Sequence, residues 1–181
     1  MRTLLTCTVN GATHTVLADS RDTLLELLRD RIGLTGSKEG CGNGNCGTCT
    51  VLLDGAPVNA CLVLAHEAPG HEILTIEGLS RGAELHPIQQ ALVAFGGTQC
   101  GFCTPGIVLA AKALLDANPS PSEHAVREAI AGNLCRCTGY GKIVEAIVAA
   151  ARERRPPPGW RGGGHGRRSR AAATMASTIL P

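Results

Sequence analysis

Aromatic residues are almost missing from this 181-residue chain: Phe95, Phe102, Tyr140 and Trp160 are the full set. So few rings argue against binding of single-stranded nucleic acid, which stacks its bases on aromatic side chains. Long apolar runs are missing too. Stretches such as Ala146 to Ala151 fall far short of the roughly 20 residues a membrane span needs. The opening MRTLLTCTVNG has one arginine and no extended apolar core before a small-residue cleavage site. It does not read as a secretory signal and points to the cytoplasm, with export inside a partner-carried complex left open. Neither a P-loop nor a dinucleotide-binding glycine fingerprint occurs. The histidines at 14, 66, 71, 86, 124 and 165 show no ligand spacing. Each reads as a surface or cap residue, His86 before Pro87 as a helix cap.

What is present is a globular composition, 44% apolar and 18% charged, in a length that allows one domain or two small ones. The net charge of +2 hides an asymmetry. From Arg152 to Pro181 seven arginines oppose one glutamate, so this end carries +6 and the rest of the chain −4. Residues 156–181 open with three prolines and continue as an Arg/Gly mixture that cannot build a core. They are expected to be an extended or disordered tail outside the fold. A sharper reading makes them an arm on an acidic partner, anchored by Trp160, Ile179 and Leu180.

Periodicity divides the remainder. Leu5, Cys7 and Val9 alternate with threonines before an Asn10-Gly11 turn, and Thr13 to Leu17 returns as a second strand. Asp22 or Thr23 caps a helix with Leu24, Leu25, Leu27, Leu28 and Ile32 on one broad face, ending at Gly33. Thr50 to Leu53 and the residues through Val58 form a hairpin about Asp54-Gly55, and Ile73 to Ile76 a further strand. Beyond a boundary near Gly78 to Gly82 the pattern is helical. Helices are expected from His86-Pro87 to Phe95, from a Thr104 cap to about Asn118, from a capping box at Ser120, Pro121 and Glu123 to near Gly132, and from Thr138 to Pro156. The fold class is α+β: a small sheet domain over 1–80, then a four-helix bundle over 81–155.

Cysteine is in excess. Nine in a chain without an export signal favour metal or redox chemistry over a disulfide framework. Cys41, Cys46, Cys49 and Cys61 follow C-x4-C-x2-C-x11-C with a glycine-rich interior, the plant-type [2Fe–2S] spacing. Glycine lets such a loop curl and lets amides approach sulfur. Cys100, Cys103, Cys135 and Cys137 follow C-x2-C-x31-C-x-C, each pair just ahead of an expected helix start that favours an anionic group. Four-thiolate zinc is the alternative for either set, although zinc prefers repeated C-x2-C pairs. Cys7 reads as a core thiol.

The strings KEGCGNGNCGTCTV, QCGFCTPG and NLCRCTGY, in this order and spacing, closely resemble the iron–sulfur portion of the molybdenum hydroxylases, the xanthine dehydrogenase, aldehyde oxidase and aerobic carbon monoxide dehydrogenase family. The resemblance covers roughly residues 3–152 and leaves the tail without a counterpart. It implies a ferredoxin-like β-grasp domain with one [2Fe–2S] cluster on Cys41, Cys46, Cys49 and Cys61. It implies a helical domain with a second on Cys100, Cys103, Cys135 and Cys137. It also implies that Gln99 contacts the molybdopterin cofactor and that Cys137 lies near the pterin. The partners it implies are a molybdenum-binding large subunit and an FAD-binding medium subunit. This chain would then relay single electrons from the molybdenum–pterin centre toward the flavin, without being the catalytic subunit. A free-standing ferredoxin-like carrier is the alternative. Two oxidised clusters with four thiolates each would take the body from −4 to about −8, a charge that needs amide donors at the sulfurs and makes encounter salt-sensitive.

Overall fold

The computed structural model describes residues 1–80 and 82–153. The tail from residue 156 onward, with its arm anchors Trp160, Ile179 and Leu180, lies outside them.

Alternation builds the first sheet pair. Strand β1 (Arg2–Val9) and strand β2 (Ala12–Asp19) pair antiparallel from Arg2 opposite Asp19 to Val9 opposite Ala12. The two-residue turn has Asn10 at φ 54° and Gly11 at φ 76°, the left-handed pair that suits the strand twist. Leu5, Cys7 and Val9 are buried, which places Cys7 in the core, while Leu4 and Leu17 face each other on the outer side. Strands β3 (Thr50–Leu53) and β4 (Ala56–Asn59) form the second hairpin about Asp54 and Gly55. Strand β5 (Glu72–Leu74) lies parallel to β1 and antiparallel to β3, giving the order β2-β1-β5-β3-β4.

The strand expected to run to Ile76 stops at Leu74. The Asn10 side chain takes the Thr75 N–H at 2.9 Å and donates to Thr75 Oγ1, and Ile76–Gly78 turns as a 3-10 helix. The helix expected from residue 22 or 23 to Gly33 is present with a different winding. Thr23 is its N-cap in a capping box with Glu26. A single α-turn, α1 (Leu24–Glu26), widens into a π-helix over Leu27–Ile32, closed by Gly33 at φ 87°. Leu24, Leu25, Leu27 and Leu28 are all buried together with Val51 and Ile73.

Four helices follow: α2 (Pro87–Ala94), α3 (Thr104–Ala117), α4 (Glu123–Ala129) and α5 (Gly141–Glu153). His86 caps α2, its Nδ1 accepting the Ile88 N–H. Three expected starts move. Cys103 replaces Thr104 as the N-cap of α3, its carbonyl accepting the Ile107 N–H at 3.1 Å. Ser122 replaces Ser120 at α4, its hydroxyl accepting the Ala125 N–H. Helix α5 begins three residues after Thr138, since Gly139 and Tyr140 both take φ near +66° and cannot extend a helix. Ile88, Leu92, Ile107, Leu109, Ile130, Ile143 and Ile147 are fully buried. At roughly 1.5–3 kcal/mol for each large side chain taken from water, burial of this kind holds the helices together. The buried apolar residues thus form two clusters, one under the sheet and one among α2 to α5.

Candidate iron–sulfur centres

All nine cysteines are free thiols. Three of the first pocket's four thiols, Cys41, Cys46 and Cys49, lie on one continuous loop between the helical run and β3. Arg29 anchors its start, donating to the carbonyls of Thr35 at 2.9 Å and Ser37 at 2.6 Å. Lys38 and Thr48 then cross-tie it, backbone N–H to carbonyl at 3.1 Å and hydroxyl to carbonyl at 3.0 Å. Inside the tie the chain curls through Gly42, Gly44 and Gly47, all at positive φ. The curl turns the N–H groups of Asn43, Asn45 and Cys46 onto Cys41 Sγ, beside the Cys46 side chain. Those donors, Asn43 first, lower the Cys41 thiol to about 7. Opposite lies Cys49, paired with Cys61 and within electrostatic reach of Cys46. Burial pushes the Cys49 thiol up to about 11. Cys61 reaches it because Leu25 N–H bonds the Ala60 carbonyl and Ala60 N–H bonds that of Cys49.

The second pocket joins two loops far apart in sequence, one before α3 and one before α5. Cys137 Sγ and Cys100 Sγ are 3.6 Å apart at the exposed end, well beyond the roughly 2.05 Å of a disulfide. Cys103 and Cys135 pair deeper in. Burial pushes the Cys103 thiol up to about 12. At Cys135 burial acts the same way, but the Thr138 hydroxyl and the N–H groups of Cys137 and Thr138 outweigh it and lower the thiol. The expected apposition to two helix N-termini holds for Cys103 at α3. It fails for Cys135 and Cys137, because positive-φ residues intervene before α5.

The structure therefore brings all eight residues together as two sets of four. Within each set the thiols meet as two pairs: Cys41 with Cys46, Cys49 with Cys61, Cys100 with Cys137, Cys103 with Cys135. Among the described residues no group of three or more His, Cys, Asp or Glu surrounds a single ion position. Two thiols on each side of a gap is the donor set a dinuclear centre takes, one pair per iron. One member of each set is fed by several N–H donors, which suits a centre that gains negative charge. Gln99 is exposed beside Cys100.

Sequence reading missed the contact between the pockets. Leu134 N–H donates to the Cys46 carbonyl at 2.8 Å. Its neighbour Asn133, only 5% exposed, donates from Nδ2 to the Gly47 carbonyl at 2.8 Å and to Thr50 Oγ1 at 3.0 Å. Gly47 must be glycine there: a Cβ would lie 2.2 Å from the Gly132 carbonyl oxygen. A Cβ on Gly40 would lie 2.9 Å from Cys46 Sγ and 3.6 Å from the Phe102 ring, so Phe102 of the second loop reaches the first pocket. No spacing signals such contacts; a buried asparagine beside a cysteine pair is the one available hint.

A model described as "2Fe-2S iron-sulfur cluster binding domain" matches residues 7–74, and one described as "[2Fe-2S] binding domain" matches 75–148. The chain is 53% identical over 142 residues to the nicotine 6-hydroxylase small subunit of Paenarthrobacter nicotinovorans, covering 78% of this chain and 86% of that one. The chain belongs to the iron–sulfur subunits of the molybdenum hydroxylases. A probable xanthine dehydrogenase subunit from Bacillus subtilis is 50% identical over 139 residues, 77% of this chain and 80% of its own. The crystal structure of quinoline 2-oxidoreductase from Pseudomonas putida 86 superposes with a TM-score of 0.81 at 44% identity, over 84% of this chain and 98% of that one. This iron–sulfur subunit is thus α+β, carries [2Fe–2S] clusters, and transfers electrons inside an oxidoreductase complex of which it is not the catalytic part. Its relatives are subunits, which gives the free-standing carrier no support. Among the described residues no helix is long and apolar enough to cross a membrane.

Proposed function

We propose that Cys41, Cys46, Cys49 and Cys61 hold one [2Fe–2S] cluster and that Cys100, Cys103, Cys135 and Cys137 hold the other, in domains 1–80 and 81–155. The subunit then relays electrons from a molybdenum–pterin large subunit toward an FAD-binding medium subunit. The observation that carries this reading is the hydrogen bond from Leu134 N–H to the Cys46 carbonyl, which joins two pockets of four thiols each. A [2Fe–2S] cluster held by each set of thiols would supply one-electron transfer there. The chain's own residues keep the route short. Asn133 and Gly47 lock the two loops together, and Phe102 and Gly40 close the gap between them. At the far end the second pocket is open: Gln99, Cys100 and Cys137 are all exposed, which supports a pterin-bearing partner docking on that face.

The test is a preparation under native conditions. Iron and acid-labile sulfide should match two clusters per chain, stepwise reduction should develop two electron paramagnetic resonance (EPR) signals, and two larger chains with pterin and FAD should co-purify. Colourless zinc-loaded protein, or one cluster per chain, would refute the reading.

A further inference from the structure

Thr138 does not cap α5; it sits three residues short of it and turns to sulfur instead. Its Oγ1 is 3.1 Å from Cys135 Sγ and accepts the Tyr140 N–H at 3.2 Å. A hydroxyl has one proton and two lone pairs. With a lone pair given to Tyr140, the proton remains for the sulfur, which also receives the N–H groups of Cys137 and Thr138. The first pocket has a threonine in a matching place. Thr48 Oγ1 lies 3.2 Å from Cys46 Sγ, but it donates its one proton to the Lys38 carbonyl at 3.0 Å. The two pockets thus carry the same side chain at nearly the same distance with the proton directed differently.

We propose that Thr138 sets the reduction potential of the second cluster: its O–H···S bond to Cys135 stabilises the reduced state and draws the added electron to the iron held by Cys103 and Cys135. This rests on the ligand assignment proposed above. Donation to a ligand sulfur lowers the cost of added negative charge and raises the potential. In the step itself one electron enters, from the molybdenum–pterin partner in the complex or from dithionite in a titration. The proton stays on Thr138 Oγ1, and no bond between protein and cluster forms or breaks. Cys103 and Cys135, the pair that would hold the favoured iron, are the less exposed of the two pairs. Leu134, whose N–H meets the Cys46 carbonyl, is covalently next to Cys135, so the electron is held at the junction with the first pocket.

EPR-monitored redox titration of the two-cluster protein tests this with Thr138→Val, Thr138→Ser and Thr48→Val. Thr138→Val should lower the second midpoint by about tenfold in the reduction equilibrium, 59 mV for one electron, and leave the first in place. Thr138→Ser keeps the hydroxyl and should keep the wild-type midpoint. Thr48→Val should move the first midpoint less than Thr138→Val moves the second. An unmoved second midpoint in Thr138→Val, or Thr138→Ser falling equally far, overturns the inference. Should Thr138→Val fail to assemble its second cluster, electron–nuclear double resonance on wild-type protein decides. Brief exchange into D2O should remove a proton coupled to the reduced second cluster, and retention of every coupled proton overturns the proposal. Wild-type protein with one EPR signal or none overturns the ligand assignment and this inference with it. Two signals with an unmoved midpoint overturn this inference alone.

Discussion

The two thiol pockets are built in opposite ways. The first is a local object: three of its four cysteines sit within nine residues, on a glycine-rich curl whose own amides turn onto Cys41. The second is a tertiary object: its pairs come from loops ahead of α3 and α5 and meet only when those helices pack. At Cys41 the first pocket relies chiefly on backbone donors; at Cys135 a side-chain hydroxyl joins the amides. The contrast teaches that a glycine-rich curl lets three backbone amides crowd one sulfur without help from a hydroxyl. Where the pocket spans two loops, a side chain fills that role.

The largest expected effect tests whether the pockets are separable. Cys103→Ser should abolish the second cluster's EPR signal and halve the iron content while the plant-type signal survives; loss of both would make the two halves one cooperative unit. Next comes the junction. Gly47→Ala meets both a positive φ and the Gly132 carbonyl, and should cost on the order of 3–4 kcal/mol in denaturant unfolding. Gly11→Ala, at φ 76° but in open space, should cost only about 1 kcal/mol, separating strain from collision. Asn133→Leu removes two hydrogen bonds, to the Gly47 carbonyl and to Thr50 Oγ1, while Thr50 still donates to that carbonyl; at roughly 0.5–1.5 kcal/mol each the loss should be about 1–3 kcal/mol. It should also weaken the magnetic interaction between the two reduced clusters; an undiminished interaction would deny the junction its role in coupling. Thr23→Ala removes the capping box far from the second pocket, and about 1 kcal/mol of loss with both EPR signals unchanged is expected.

The smallest effect concerns pH. The His71 side chain, with the Glu72 N–H, holds the Asp54 carboxyl below the usual carboxylate range. A depressed carboxylate stabilises the fold above its unfolded pKa of about 4 and loses that contribution as pH falls through the folded value. Asp54 and His71 are both substantially exposed, so the effect should stay under about 1 kcal/mol. Comparing Asp54→Asn with wild type by urea melts at pH 7 and pH 3 should show a difference at pH 7 that shrinks at pH 3.

Legibility followed the same contrast. Both hairpins, the helical run closed by Gly33 and the His86 cap were readable, because turn residues and caps act on their immediate neighbours. Starts that depended on side-chain competition were misplaced. Ser122 took the cap expected at Ser120, and Thr138 left its expected cap for Cys135. The strand end at Leu74 was hidden because Asn10, distant in sequence, imposes it.

The amino-acid order alone determined the two sets of four cysteines, the α+β class and the family likeness. Spacing, glycine content and hydrophobic period are properties of neighbouring residues, and they survive without a fold. Only the tertiary structure decided which thiols pair, which threonine hydroxyls lie against a sulfur, and that Asn133 ties the Cys46–Gly47 loop to the loop before α5. Each of these depends on groups brought into hydrogen-bond range by core packing, and hydrogen bonds reach only about 3 Å.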